Sequence, residues 1–170
     1  MKFGCTGNFN KSNFFKILDQ LVLFFSNEDH ELILDLKVPF NNSLVKKDSL
    51  EKIANYCDIL ISIGGDGTIL STIRSLNKIE IPILGIHIGG LGFLAQTNSD
   101  ECINSLKKIF KNKYSIVERM LLKTEIENST KQAFYALNDI VIDHGNSPRI
   151  LETNISISNI HLNKYKSDGI

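Results

Sequence analysis

The chain has 170 residues, of which 42% are hydrophobic and 22% charged, and its formal net charge is zero. That balance is ordinary for a globular protein, and nothing in the total charge steers the chain toward nucleic acid or an anionic membrane, although local basic patches for phosphates stay open. Cys5, Cys57 and Cys102 are widely spaced, no apolar run approaches the roughly 18 residues of a spanning helix, and Met1 to Asn10 holds one lysine, so reduced thiols in the cytoplasm are expected rather than a disulfide frame, secretory leader or membrane anchor.

Taken in chain order, Met1 to Thr6 reads as a short first strand. Phe14, Ile17, Leu18, Leu21, Val22 and Phe25 then recur at helical spacing, with Asn10 or Ser12 as the expected cap. Glu31 to Val38 reads as a strand ending at Pro39, and Leu44 to Tyr56 as a helix. Asp58 to Ile63 is a nearly unbroken apolar run closed by glycines, which suits a strand buried on both faces of a parallel sheet. Thr68 is placed to cap a helix over Ile69 to Leu76, and Ile81 to Ile88 repeats the apolar-run-then-glycine pattern. Asn98 and Glu101 have capping-box spacing ahead of a helix carrying Ile103, Leu106, Ile109 and Phe110. This rhythm predicts an α/β unit over residues 1–114, a doubly wound (Rossmann-like) parallel sheet.

From about Tyr114 the helical periodicity disappears. Strand-like runs follow at Ile116 to Glu127, Ala133 to Asp143, Thr153 to Ile157 and Ile160 to Tyr165. Asn128-Ser129-Thr130 and Ser158-Asn159 fall at expected turns, the latter with the length of a two-residue hairpin loop. Residues 115–170 thus read as the first strands of an all-β second domain, too few for a barrel or sandwich of their own.

The string Gly64-Gly65-Asp66-Gly67-Thr68 carries the clearest chemistry. It joins a buried strand to a helix start, and ligands of open α/β sheets bind at the carboxyl ends of strands. Its glycines let the backbone turn sharply and approach a phosphate chain, and the free amides of the helix start favour anionic oxygens. Asp66 would be repelled by bare phosphate; it fits a hydroxyl to be deprotonated or a Mg²⁺ ion carried by a nucleotide. The plain alternative is a tight turn in which Asp66 only helps to cap the helix. There is no P-loop string, which sets P-loop kinases aside. Gly90 to Ala95 matches the dinucleotide fingerprint only weakly, since no acid lies about 20 residues on at the end of a second strand, which disfavours hydride transfer. His87 and His144 have no partner at metal-ligand spacing and read as turn or core residues, and the basic run Lys107, Lys108, Lys111 and Lys113 reads as a solvated face.

The five-residue string resembles the signature of NAD kinases, shared more loosely with diacylglycerol and sphingosine kinases and with 6-phosphofructokinases. Gly85 to Leu94 is similar to the NAD kinases' second glycine loop, Asn138-Asp139 to their Asn-Glu/Asp motif, and Ser167-Asp168-Gly169 to the step into their third glycine-rich segment. The resemblance implies a kinase that uses Mg²⁺ and ATP to phosphorylate the 2′-hydroxyl of the adenosine ribose of NAD. It implies Asp66 as the catalytic residue, and Gly64, Gly65, Gly67 and Thr68 as the phosphate loop. Phe93 would pack beside the adenine, where it could equally be core. Asn138 and Asp139 would bond the adenine and ribose, where Asn138 could simply end a strand. Asp168 would reach the nicotinamide end of an NAD held by a neighbouring subunit of a homo-oligomer. Family members continue past Gly169 into a Gly-Ser-Thr-Ala-Tyr segment and the rest of a β-sandwich, so the 170-residue chain alone is expected to be inactive. The rival readings are another kinase of this signature acting on a lipid or sugar hydroxyl, and a nucleotide-binding fragment without turnover.

Overall fold

Alternate residues of the strand Ile59–Gly64 point to opposite sides, and both sides are buried. Ile59, Ile61 and Ile63 belong to one hydrophobic cluster and Leu60 to another. That two-sided burial sets the architecture of the computed structural model, which describes residues 1–89, 92–127 and 133–170. The chain divides into two compact units, Met1–Leu137 and Asn138–Ile170.

In the first unit the elements run β1 (Lys2–Gly7), α1 (Phe14–Phe25), β2 (Glu31–Asp35), β3 (Lys46–Asp48), α2 (Leu50–Tyr56), β4 (Ile59–Gly64), α3 (Asp66–Leu76), β5 (Ile83–His87), β6 (Thr97–Asn98) and α4 (Cys102–Phe110). The six strands form one parallel sheet in the order β3-β2-β1-β4-β5-β6. Chain order reverses direction across β1 and β4, which is the doubly wound arrangement the sequence predicts. On one face Phe14, Leu18, Leu21, Cys102 and Leu106 pack against Phe3, Cys5, Leu34, Ile61 and Ile86. On the other face Ile53, Ala54 and Leu76 of α2 and α3 pack against Ile33 and Leu60. Ser62, also facing α3, meets the Thr72 hydroxyl at 3.3 Å, so a buried polar group on that face has a partner.

A short antiparallel pair, β7 (Leu122–Glu125) and β8 (Ala133–Ala136), completes this unit, with β8 against α3. In the second unit β9 (Leu151–Ile157) and β10 (Ile160–Ser167) form a hairpin. Its two-residue loop is Ser158-Asn159, both with positive φ (51° and 66°), as a type I′ turn requires. Ile142 and Ile170 exchange backbone hydrogen bonds beside an Asp143–Gly169 bridge. Among the described residues no helix is long and apolar enough to cross a membrane.

Several expectations need correction. The helix expected over Leu44 to Tyr56 begins only at Leu50, because Lys46–Asp48 pairs with β2 and Ser49 takes the N-cap, its side chain accepting from the Lys52 amide. The first helix starts after Asn13 rather than at an Asn10 or Ser12 cap; Asn8 instead accepts from the Asn10 amide. Strand β2 stops at Asp35, whose carboxylate accepts from the Lys37 amide and turns the chain. Thr68 lies inside the first turn of α3, which begins at Asp66. Asn98 accepts from the Glu101 amide, but α4 starts at Cys102, so that bond belongs to the preceding turn. The runs Ile116 to Glu127 and Ala133 to Asp143 shorten to β7 and β8, where backbone pairing exists. The turn expected at Asn128-Ser129-Thr130 and the Gly90-Leu91 part of the second glycine loop lie outside the described residues.

Candidate functional site

The glycine string closes the carboxyl end of β4 and opens α3. Gly64 is buried where Thr68 folds back over it: a Cβ there would lie 2.6 Å from Thr68 Cβ. Gly65 is the N-cap; its amide donates to Thr68 Oγ1 (3.3 Å) and its carbonyl accepts from the amides of Thr68 (2.9 Å) and Ile69 (3.2 Å). The amides of Asp66 and Gly67 are left without a protein acceptor among the described residues. No atom lies within 4 Å of where a Cβ would stand at Gly65 or Gly67, so this side of the turn is open. Orphan amides on an open, glycine-lined helix start are a physical basis for holding phosphate oxygens.

Asp66, the first residue of α3, turns its carboxylate toward the chain that follows β5. Oδ2 accepts from the Phe93 amide at 2.8 Å and Oδ1 from the Leu94 amide at 3.0 Å. These bonds favour the charged form and hold the Asp66 carboxyl below its usual range; the Phe93 amide contributes most, with further help from Leu94 and Ala95 and from nearby His87. Gly92 makes the approach possible, since a Cβ there would stand 2.6 Å from Asp66 Cγ. Gly92 is a site residue that the sequence alone does not point to. Its signal was its place in the second glycine loop, but only the fold reveals the carboxylate it accommodates. Phe93 is 96% exposed, so the core alternative does not hold for this ring; it stands in solvent beside a backbone tied to Asp66.

His87 ends β5 opposite Gly64 and is buried with no hydrogen-bond partner for Nδ1 among the described residues. On the other flank of α3 lies a cleft of about 270 Å³, lined by Thr6, Asn8, Asp35, Lys37, Thr68 and Ser71 among others. Asp35, at the end of β2, is only 2% exposed; it accepts from Thr6 Oγ1 at 2.9 Å and from the Lys37 amide at 3.1 Å. Neither its burial nor its cleft was legible in the sequence, where Asp35 falls inside the strand expected over Glu31 to Val38.

The remaining candidates fall in the second unit. Asn138 and Asp139 are exposed and irregular in backbone, since β8 ends at Ala136. The chain beyond them reaches Ile142, which bonds to Ile170, and Asp168 is exposed on that neighbouring segment, its carbonyl accepting from the His144 amide. Asp168 thus lies beside His144, five residues along the chain from Asp139, and the backbone pairing does not bring the two motifs together.

Comparison with known proteins agrees with this layout. The model of the ATP-NAD kinase N-terminal domain matches residues 24–114. The chain is 33% identical over 171 residues to an NAD kinase of Chlorobium phaeobacteroides, an alignment covering 100% of this chain and 59% of that one. It is 42% identical over 123 residues to an NAD kinase of Sulfurimonas denitrificans, covering 72% and 43%. Among solved structures, yeast NADH kinase complexed with NADH superposes with a TM-score of 0.84 at 21% identity, over 99% of this chain and 56% of that one. An NAD kinase from Archaeoglobus fulgidus in complex with ATP gives 0.71 at 22% identity, over 99% and 59%. The chain spans about half the length of the curated relatives it matches. From its strand order, its glycine turn and this family match, the chain belongs to the ATP-NAD kinase family.

Proposed function

We propose that the protein to which this chain belongs transfers the γ-phosphoryl group of ATP to the 2′-hydroxyl of the adenosine ribose of NAD, giving NADP and ADP. The observation that carries this reading is the Asp66 carboxylate, fixed at an open, amide-rich helix start and tied to the backbone of the exposed Phe93. The family match supports it, as do the two structural neighbours, one complexed with NADH and the other with ATP.

In this reading the ribose 2′-oxygen attacks the γ-phosphorus, the bond to the β,γ-bridging oxygen breaks, and ADP leaves. Asp66 accepts a hydrogen bond from the attacking hydroxyl and orients it. A carboxylate held below its usual range is a weak base, so orientation is its main contribution and the proton passes on to solvent as the bond forms. Gly64, Gly65, Gly67 and Thr68 shape the turn that brings backbone amides to the donor's phosphates. Phe93 offers a ring for the adenine of NAD, Asn138 and Asp139 bond its adenine and ribose, and Asp168 serves the nicotinamide end of an NAD bound by a neighbouring subunit of a homo-oligomer. Mg²⁺ would arrive with the nucleotide, since this ion is held largely by phosphates and water, and it would neutralise phosphate charge there. The setting is the cytoplasm, with no role for nucleic acid or membrane.

The test is NADP formation from NAD and Mg·ATP by the 170-residue chain and by a chimaera completed with the C-terminal part of the Chlorobium relative. The chimaera is expected to turn over and the short chain to be silent, with Asp66→Asn lowering kcat of the chimaera by about 100-fold or more. Silence from a folded chimaera that phosphorylates diacylglycerol or fructose 6-phosphate instead would overturn the assignment. Binding of NAD without turnover, indifferent to Asp66→Asn, would favour a nucleotide-binding module.

A further inference from the structure

We propose that the cleft beside α3 binds the ribose of the phosphoryl donor, with Asp35 receiving its vicinal hydroxyls. The inference rests on the kinase reading and adds to it a site for the sugar of the donor.

Three observations carry it. The first is position: β1 lies between β2 and β4 at the point where the chain order reverses, and the cleft opens at the carboxyl ends of these strands, where open α/β sheets take their ligands. The second is chemistry. The cleft wall carries five hydroxyls, an amide, one buried carboxylate and, among the described residues, one cation, Lys37, beside the apolar Phe9, Val38 and Leu50, a mixture that suits the polar edge and flat faces of a nucleoside phosphate.

The third is the state of Asp35 itself. Thr6 Oγ1 donates to Oδ2 and the Lys37 amide to Oδ1, so the carboxylate plane is fixed from both sides. Each oxygen keeps a further lone pair, and two adjacent hydroxyl donors match that pair of acceptors. A hydrogen-bonded, buried carboxylate facing a polar cavity is expensive to leave without further donors. Register then supplies the reach. Leu34 pairs with Cys5, which places Asp35 beside Thr6, and Thr6 pairs with Ser62 on β4. Asp35 is therefore two strand spacings, ~10 Å, from β4, whose end carries the glycine turn. A triphosphate extended from a ribose at Asp35 covers such a span and presents its last phosphate at the amides of Asp66 and Gly67.

Calorimetric titration of the 170-residue chain with ADP, 2′,3′-dideoxy-ADP, inorganic tripolyphosphate and NAD tests this. ADP is expected to bind; loss of the two hydroxyls, or Asp35→Asn, should each weaken it by about ten- to hundredfold, the worth of hydrogen bonds to a charged group. Tripolyphosphate should bind wild type and Asp35→Asn alike, which also shows that the variant is folded. Absence of ADP binding, equal affinity for ADP and dideoxy-ADP in the wild type, or equal losses of ADP and tripolyphosphate in the variant would each overturn the proposal. Dependence on Asp35 for NAD but not for ADP would overturn the donor assignment in favour of the acceptor's ribose. NADP formation by the chimaera is scored independently, so the kinase reading can stand where this one fails.

Discussion

The central strands of the sheet and the β9–β10 hairpin are both well-paired β structure, yet they are stabilised by different means. Every residue of β4 is buried, and Leu60 and Ile61 are inaccessible to solvent on opposite faces. In the hairpin, Ile157, Ile160, Leu162 and Tyr165 are all exposed, Ile160 at 73%. What shapes the hairpin is its type I′ turn, its backbone ladder and the ion pair of Lys164 with Glu152. Surface ion pairs contribute little, and a two-stranded ribbon whose apolar side chains stay uncovered is marginal in water. Strand pairing is thus a consequence of burial in one unit and of local turn chemistry in the other.

The comparison breaks most sharply in the sheet. Ile61→Ala removes a fully buried side chain from the layer between α1 and β4 and is expected to cost about 2–5 kcal/mol. Ile160→Ala, on the hairpin surface, should stay within about 0.5 kcal/mol. Urea unfolding followed through the Cys5 thiol separates the two. Burial pushes that thiol up to about 12, so it reacts with a disulfide reagent only when the sheet opens. Equal losses for the two variants would mean that burial does not divide the units as described.

A subtler break concerns the glycine turn. Gly92→Ala places a methyl against the Asp66 carboxylate and should displace it from the Phe93 and Leu94 amides. Kinase activity of the chimaera is expected to fall about 100-fold in kcat while the melting temperature shifts little, since the change lies in a surface connection. A large loss of stability with kcat retained would make Gly92 merely structural. The smallest effect sharpens the hairpin. Replacing Ser158-Asn159 with Asn-Gly suits both positive-φ positions and should stabilise β9–β10 by about 0.5 kcal/mol, read as slower amide exchange there and unchanged exchange in β1 and β4.

Much of this was readable because the signals are physical ones that survive without coordinates. The apolar runs of β4 and β5 announce strands buried on two faces, and a polar two-residue break between strands announces a tight turn. Strands β3 and β6 were missed because Lys46-Lys47-Asp48 and Thr97-Asn98 join the sheet through backbone bonds at its edges, where side-chain pattern carries no message. The glycine turn was legible as a sharp strand-to-helix turn with an open helix start. The ties of Asp66 to Phe93 and Leu94 were not, since a contact between a carboxylate and amides 27 and 28 residues away leaves no local trace. The same holds for Asp35, whose partners Thr6 and Lys37 come from different segments.

The place of β1 in the sheet also has a consequence for how the protein comes off the ribosome. Phe3 pairs with Leu32 on one side and with Ile59 on the other, so this central strand is flanked on both edges only when β4 has been made. Phe3 and Ile59 are 56 residues apart (59 − 3), and at ~5–20 residues per second the nascent strand waits roughly 3 to 11 s with at least one edge open. During that interval β1, with Phe3 and Cys5 lacking a neighbour on one side, is open to chaperones and to wrong partners.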